Sequence, residues 1–385
     1  MDAARPSLEL LRSLTDEHVL RALMRHRRLT RAELAAQTGI SKPTAGESVR
    51  RLAERGLVED TGERTPGGRG KGRVGSYYAL APAAGTALAI TIAPEGIAGE
   101  AVDAYGDIVA RATRALDRPA ASAHVSAALE EVAHELGPAP RLAVVSAADP
   151  VDRQTGRLVQ LPDAPFLVGE LDPVAVLTPH VAGPVTVDND VNWAARAERE
   201  HAGDDFAYLY LGEGLGCAVV GDGEVTRGRT GLAGEIAHLL TAGPDGRAVP
   251  LIEVFGQLGL RLPGSTAIDA AAVPAAPDRR AIGAAVAGVV AAIVALADPG
   301  RVVVGGTWGP SLLDAIGAAV AELPRAVPLQ AAAAKDPAQA GARRDALDRL
   351  RAAIVADAAQ DGGARAGLAA TDPSREPAKA DSCGS

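Results

Sequence analysis

Five short apolar runs recur between residues 81 and 357: "TALAITIA", "RLAVVSAA", "PVTVDND", "FAYLYLG" and "RVVVGG". Each is rich in residues that favour extended backbone, and longer helix-like stretches separate them. Strands alternating with helices predict an α/β body. Several runs end in glycine or an acidic residue, the end at which open α/β sheets place ligands. A chain of 385 residues is too long for one ordinary core, so two or three domains are expected. An apolar, uncharged run at residues 281–297 is Ala/Gly-rich and short for a bilayer, which favours a buried helix. Cys217 and Cys383 are the only cysteines, which argues against a disulfide framework or a cysteine zinc site. The N-terminus lacks the basic-plus-apolar pattern of a secretory signal, and the expected protein is soluble and cytoplasmic, with no membrane partner.

Charge divides the chain. Residues 1–80 carry 15 Lys and Arg against 10 Asp and Glu, while the remainder carries 24 against 38. A basic head on an acidic body points to a polyanion partner for the head. Within it, "TDEHVLRALMRHRRLTRAELAAQTGISKPTAGESVRRLAERGLVED" reads as three short helices. Thr15 is placed to cap the first, with Val19, Leu20 and Leu23 as its apolar stripe. Thr30 and Glu33 fit a capping box for the second, and Gly39 supplies the turn. Ser41 caps the third, with Pro43 in its first turn.

That order is a helix-turn-helix, whose second element enters the major groove by its N-terminal end. The expected DNA-facing residues are Ser41, Lys42, Thr44, Glu47, Ser48, Arg50 and Arg51. Two strand-like segments, "GLVED" and "GSYYALA", flank "TGERTPGGRGKGR", a wing whose Arg69, Lys71 and Arg73 would reach phosphates or a minor groove.

In the body, "GLAGEIAHLLTAGPDGRAVPLIEVFG" holds Glu235 and His238 three apart, with Glu253 further on. Helical spacing would put the first two on one face. Spacing leaves four options: a metal site, an acid/base pair, a sugar clamp, or two solvated side chains.

The stretches "VDNDVNWAARAE", "LYLGEGLGCAVVGDGEVTRGRTGLAGEIAH" and "DPGRVVVGGTW" resemble the ROK family (repressor, open reading frame, kinase), and the resemblance runs from Leu11 to about Ala353. It implies a winged helix-turn-helix over 1–80 and a two-lobed, actin-like sugar-kinase domain, with lobes at 81–200 and 201–357. Residues 358–385, low in apolar pattern, read as a disordered tail. By the same resemblance, Asn189 and Asp190 would meet sugar hydroxyls, Asp190 standing where the kinases keep their general base. Asp163 takes the place of a sugar-binding Asn, and Glu235, His238 and Glu253 complete the sugar site.

The phosphate side departs from the family. Its first phosphate loop, Asp-x-Gly-Gly-Thr, is replaced by Thr91-Ile92-Ala93-Pro94-Glu95. Its second, Gly-Thr-Gly, is Gly212-Glu213-Gly214. Two carboxylates would repel a polyphosphate, and Pro94 removes a backbone N–H. The family's zinc-binding cysteines are also missing between Gly246 and Glu253. The expectation is a DNA-binding regulator, a repressor of carbohydrate genes. It would have no cofactor, metal or catalysis, a sugar or sugar-phosphate effector, and a palindromic operator bound by a homodimer or homotetramer. The alternatives are a scaffold regulator that has lost its effector and an ATP-dependent sugar kinase.

Overall fold

A computed structural model describes residues 8–65, 74–161 and 166–368, with side chains of the last helix described to residue 359. The chain divides into two compact units: Met1–Gly85 with Arg349–Ser385, and Thr86–Asp348.

In the first unit, α1 (Leu8–His26) leads through a short strand, β1 (Arg28–Thr30), into α2 (Arg31–Thr38) and α3 (Lys42–Glu54). Strands β2 (Val58–Arg64) and β3 (Ser76–Leu80) follow, and the sheet order is β1-β3-β2, antiparallel throughout. The capping chemistry sets these boundaries. The Thr30 hydroxyl accepts from Glu33 N at 3.3 Å, while the Glu33 carboxylate accepts from Thr30 N at 2.8 Å. Gly39 closes α2 at φ 72°, and Ser41 caps α3 by accepting from Thr44 N at 3.2 Å.

Thr15 is different. The first helix starts at least as early as Leu8, so Thr15 lies inside it and its hydroxyl donates back to Leu11 O at 2.7 Å. The leucine-rich turn ahead of Thr15 carries the helix through the residue that was expected to begin it.

In the second unit, β4 (Thr86–Ala93), β5 (Gly96–Asp103) and β6 (Ile108–Ala115) form an antiparallel meander. The two-residue strand β7 (Ala120–Ala121) and α4 (Ser122–Glu135) lead to β8 (Leu142–Ala147), which pairs parallel to β4. After β9 (Leu167–Val168) and α5 (Pro173–Leu177), β10 (Val185–Asn189) pairs parallel to β8. Among the described residues this sheet has the order β10-β8-β4-β5-β6.

Helix α6 (Asp190–Ala202) then leads to β11 (Phe206–Leu211), β12 (Leu215–Gly221) and β13 (Glu224–Val225), again an antiparallel meander. A hairpin of β14 (Leu240–Ala242) and β15 (Ala248–Pro250) precedes α7 (Leu251–Gln257) and α8 (Arg279–Ala297). Strand β16 (Val302–Gly305) adds parallel to β11. Then come α9 (Leu313–Ala321) and β17 (Leu329–Ala331), which adds parallel to β16. The order is β13-β12-β11-β16-β17. Both lobes therefore repeat one plan: a three-strand meander whose first strand takes two parallel neighbours on its other side.

Helix α8 is the one described helix long and apolar enough to cross a bilayer. Its Ile282, Val286, Val290 and Ile293 instead join the second-lobe core with Phe255 and Trp308. The last helix, α10 (Pro337–Leu368), runs past residue 358, where the disordered tail was expected to begin; residues 369–385 lie outside the described set. Arg349 onward belongs with the first unit rather than closing the body, and Arg55 donates to Ala358 O at 2.5 Å and Asp357 O at 3.0 Å.

Candidate functional site

The head presents one polar face. Ser41, Lys42, Thr44, Glu47 and Arg50 are exposed along the front of α3. Arg50 is steadied by Glu47 at 2.9 Å and Glu54 at 2.5 Å, one helical turn to each side. That guanidinium holds the Glu47 carboxyl below the usual carboxylate range.

Ser48 and Arg51 correct the expected DNA face. Ser48 is fully buried with Ala45, Val49 and Leu52, and donates to Asp16 of α1 at 2.5 Å. Arg51 grips the same carboxylate through Nη2 at 2.6 Å and Nε at 3.2 Å. Asp16 is itself 3 % exposed, so its charge requires both donors. These two side chains lock α3 onto α1. The wing cations Arg69, Lys71 and Arg73 lie outside the described residues.

In the body, β10 ends where α6 begins, and Asn189 makes that junction. Its amide oxygen accepts from Val191 N at 3.0 Å, while its amide nitrogen donates to Ala147 O at 3.4 Å and Asp149 O at 3.3 Å. Asn189 thus fastens the end of β10 to the end of β8, and its polar atoms are largely committed to backbone.

Asp190, the first residue of α6, is half-buried. Burial pushes its carboxyl up to about 7, opposed by a backbone N–H from Val191 and aided by the charges of Asp149, Glu235 and Glu95. Burial also pushes Asp149 up to about 6. Glu235 rises to about 7 through desolvation and then the Asp149 charge. More than a third of Glu235 is open to solvent, so water moderates that shift.

Asp149 and Glu235 sit on segments fastened to each other. Arg153 N donates to Thr230 O at 3.0 Å, and Arg153 Nη1 to Gly228 O at 2.6 Å. Gly231 packs against the Val151 carbonyl so closely that a side chain would collide with it, and its φ of 100° suits glycine. The structure thus brings Asp190 and Glu235 together, and adds Asp149, which the sequence analysis did not select.

His238 is exposed on the loop beyond Glu235, and "GEIAH" forms turns rather than the helix that would align residues three apart. Glu253, in the first turn of α7, is exposed and paired with Arg261 at 2.9 Å. Asp163 lies outside the described residues. No group of three His, Cys, Asp or Glu among the described residues could hold a metal ion.

The two altered phosphate loops are hairpin tips: Pro94-Glu95 joins β4 to β5, and Gly212-Glu213-Gly214 joins β11 to β12. Arg118 was also missed by the sequence analysis. Its Nη1 donates to both Glu213 oxygens at 3.0 Å, its Nη2 meets Glu95 at 3.5 Å, and its Nε donates to Pro94 O at 3.1 Å. One guanidinium spans both tips. Near them Tyr210 is raised, first by burial and then by the charges of Asp190, Glu95 and Glu213.

Comparison with known proteins agrees with this layout. Residues 88–249 match the model of the ROK family, and residues 12–59 match a winged helix-turn-helix DNA-binding model. The bifunctional enzyme NanE/NanK of Brucella suis is 33 % identical over 143 residues, 34 % of this chain and 27 % of the enzyme. The chain thus spans about a quarter of the length of that relative. The xylose repressor of Bacillus subtilis is 21 % identical over 239 residues, 60 % of this chain and 61 % of the repressor. A crystal structure of a ROK family transcriptional regulator, a homologue of the E. coli MLC protein, superposes with TM-score 0.59 at 17 % identity. It covers 90 % of this chain and 99 % of its own, which is evidence of shared fold.

Proposed function

We propose, for a chain that carries a ROK family domain behind an N-terminal winged helix-turn-helix, the role of a transcriptional repressor of carbohydrate genes. A sugar or sugar phosphate bound between the two lobes would control it. The observation that carries this reading is the exposed, capped front of α3, where Lys42, Thr44 and Arg50 stand clear of the core. Such a front places side chains at base edges and phosphates when the helix enters a major groove. A palindromic operator and at least a homodimer follow from the need to fix two heads on two half-sites. A cytoplasmic location follows from the DNA target. Ligand control requires only that the effector favour one lobe arrangement over another.

The body is proposed to bind without catalysing. By the family resemblance Asp190 would take the place of a base, yet Glu95, Glu213 and Arg118 occupy the two tips that would have to admit a nucleotide's phosphates. A polyphosphate would need to break the Arg118 contacts and then lie against two freed carboxylates. His238, Glu253, Asn189 and Asp163 remain assigned to the sugar by family resemblance. In Asn189 that assignment is complemented by a positioning role.

The test is to map genomic binding sites and measure operator binding against salt. Sites beside catabolic genes and an affinity that falls steeply with salt support the reading. A Lys42→Ala protein should bind operator about tenfold less tightly, with a shallower salt slope. Unchanged affinity would remove α3 from the interface. Sugar-dependent ATP consumption would restore the kinase reading.

A further inference from the structure

Asp149 is 5 % exposed, and its Oδ2 makes no hydrogen bond. A buried carboxylate oxygen without a donor is costly, since the ionised form needs a cation or several N–H and O–H groups around it. Nothing among the described residues supplies them to that oxygen. The negative charge of Asp149 also acts on Asp190 and Glu235, and Glu95 acts on Asp190 from its hairpin tip.

The arginines of the adjoining segments make contacts elsewhere, although Arg227 Nε is itself buried without a hydrogen-bond partner. Arg227 pairs with Asp188 at 3.1 Å and donates to Val187 O at 3.4 Å. Arg118 is held by Glu213, Glu95 and the Pro94 carbonyl. Arg153 donates to the Gly228 carbonyl. The charges of Asp149, Asp190 and Glu235 thus act on one another, and among the described residues no arginine pairs with any of the three.

Their spread decides what kind of cation suits them. No three acidic or histidine side chains of the described residues could share a metal ion. A protonated amine on a ring is the complementary shape. The ammonium would give its three N–H donors to the buried Asp149 oxygen and a neighbouring carboxylate, and ring hydroxyls would reach the remaining acceptors.

We propose that the cleft of this chain selects a cationic amino sugar, a hexosamine with a free amine, with Asp149 as the residue that reads the amine. The proposal rests on the effector reading above and names the ligand class for that same cleft. It implies proton linkage of a defined sign. Protonation of Asp149, Asp190 or Glu235 removes the charge the amine needs, so affinity should rise as pH increases from about 5 to about 7 and binding should release protons over that range. Above it, affinity should fall as the ligand amine itself loses its proton.

The experiment is titration calorimetry on the full chain at pH 7. The ligands are glucosamine, galactosamine and mannosamine, beside the parent hexoses and the N-acetyl derivatives, in two buffers of different ionisation enthalpy. At least one free amine should bind tenfold or more tightly than both its hydroxyl parent and its acetamide, with net proton release. Asp149→Asn, which keeps the side-chain shape, should bring that ratio close to one, and circular dichroism would verify its fold. Neutral hexoses binding as well as or better than the amines would overturn this inference and leave the effector reading standing. A panel without any binder would overturn both.

Discussion

Two groups of acidic residues in the body use the same side-chain type to opposite effect. At the hairpin tips, Glu95 and Glu213 meet one guanidinium, that of Arg118. Asp149 and Asp190, just past the ends of β8 and β10, and Glu235, on the loop between β13 and β14, have no such partner among the described residues, and all three are pushed well above the usual carboxylate range. Acidic content therefore says little by itself. A carboxylate with a cation across from it is a fastening, whereas one in a desolvated group of its own kind stores free energy that a complementary ligand can release.

That contrast can be broken most directly at Asp190. Asp190→Asn should weaken effector binding by about 10- to 100-fold, because hydrogen bonds to a charged acceptor contribute about 1.5–3 kcal/mol. The same change should raise the melting temperature at neutral pH by relieving repulsion, a trade common at binding sites. Calorimetry and thermal denaturation of one preparation would show both. An unchanged affinity would place the ligand elsewhere.

A smaller effect is expected from pH alone. Carboxyls raised in the folded state bind protons that the unfolded chain has already released, so they favour folding at low pH. Their contribution should be lost as pH rises from about 4 to about 7 and stay level above that. Melting temperatures of wild type and of Asp190→Asn, compared across this range, should converge at the acid end. Parallel curves would mean that the cluster does not set the trend.

The smallest effect belongs to the fastened end. Arg118 and its partners are substantially exposed, and exposed pairs contribute about 0–1 kcal/mol. Arg118→Ala should lower the melting temperature slightly, with the difference fading in high salt. Replacing Glu213 by Gln in the Arg118→Ala background should recover part of the loss by removing one of two like charges. A shift of many degrees from Arg118→Ala would show that the tips fasten the lobes far more strongly than surface pairing allows.

Much of the architecture was legible because it depends on local chemistry. The caps at Thr30 and Ser41, the turn at Gly39 and the five principal strand runs all lie where composition and spacing placed them. Ser48 was misassigned although its position was readable. It falls on the buried stripe of Ala45, Val49 and Leu52 at helical spacing, and polarity was allowed to outweigh period. Arg51 needed more, because its partner Asp16 lies 35 residues away.

Asp149 and Arg118 were missed for the same reason. Each draws its role from residues on another loop, and no short window contains both partners. A signal did exist for Arg118: two acidic hairpin tips facing one another call for a cation, and "ALDRPAA" supplies one between them in the chain.

The repeated strand plan gives that arginine a further meaning. Glu95 and Glu213 each occupy the turn after the first strand of their own lobe, so they are counterparts under the internal repeat. Arg118 belongs to only one copy, yet it holds the corner of both. Among the described residues no second arginine pairs with either glutamate. Loss of the carboxylate at either tip would leave the opposite tip holding the arginine alone.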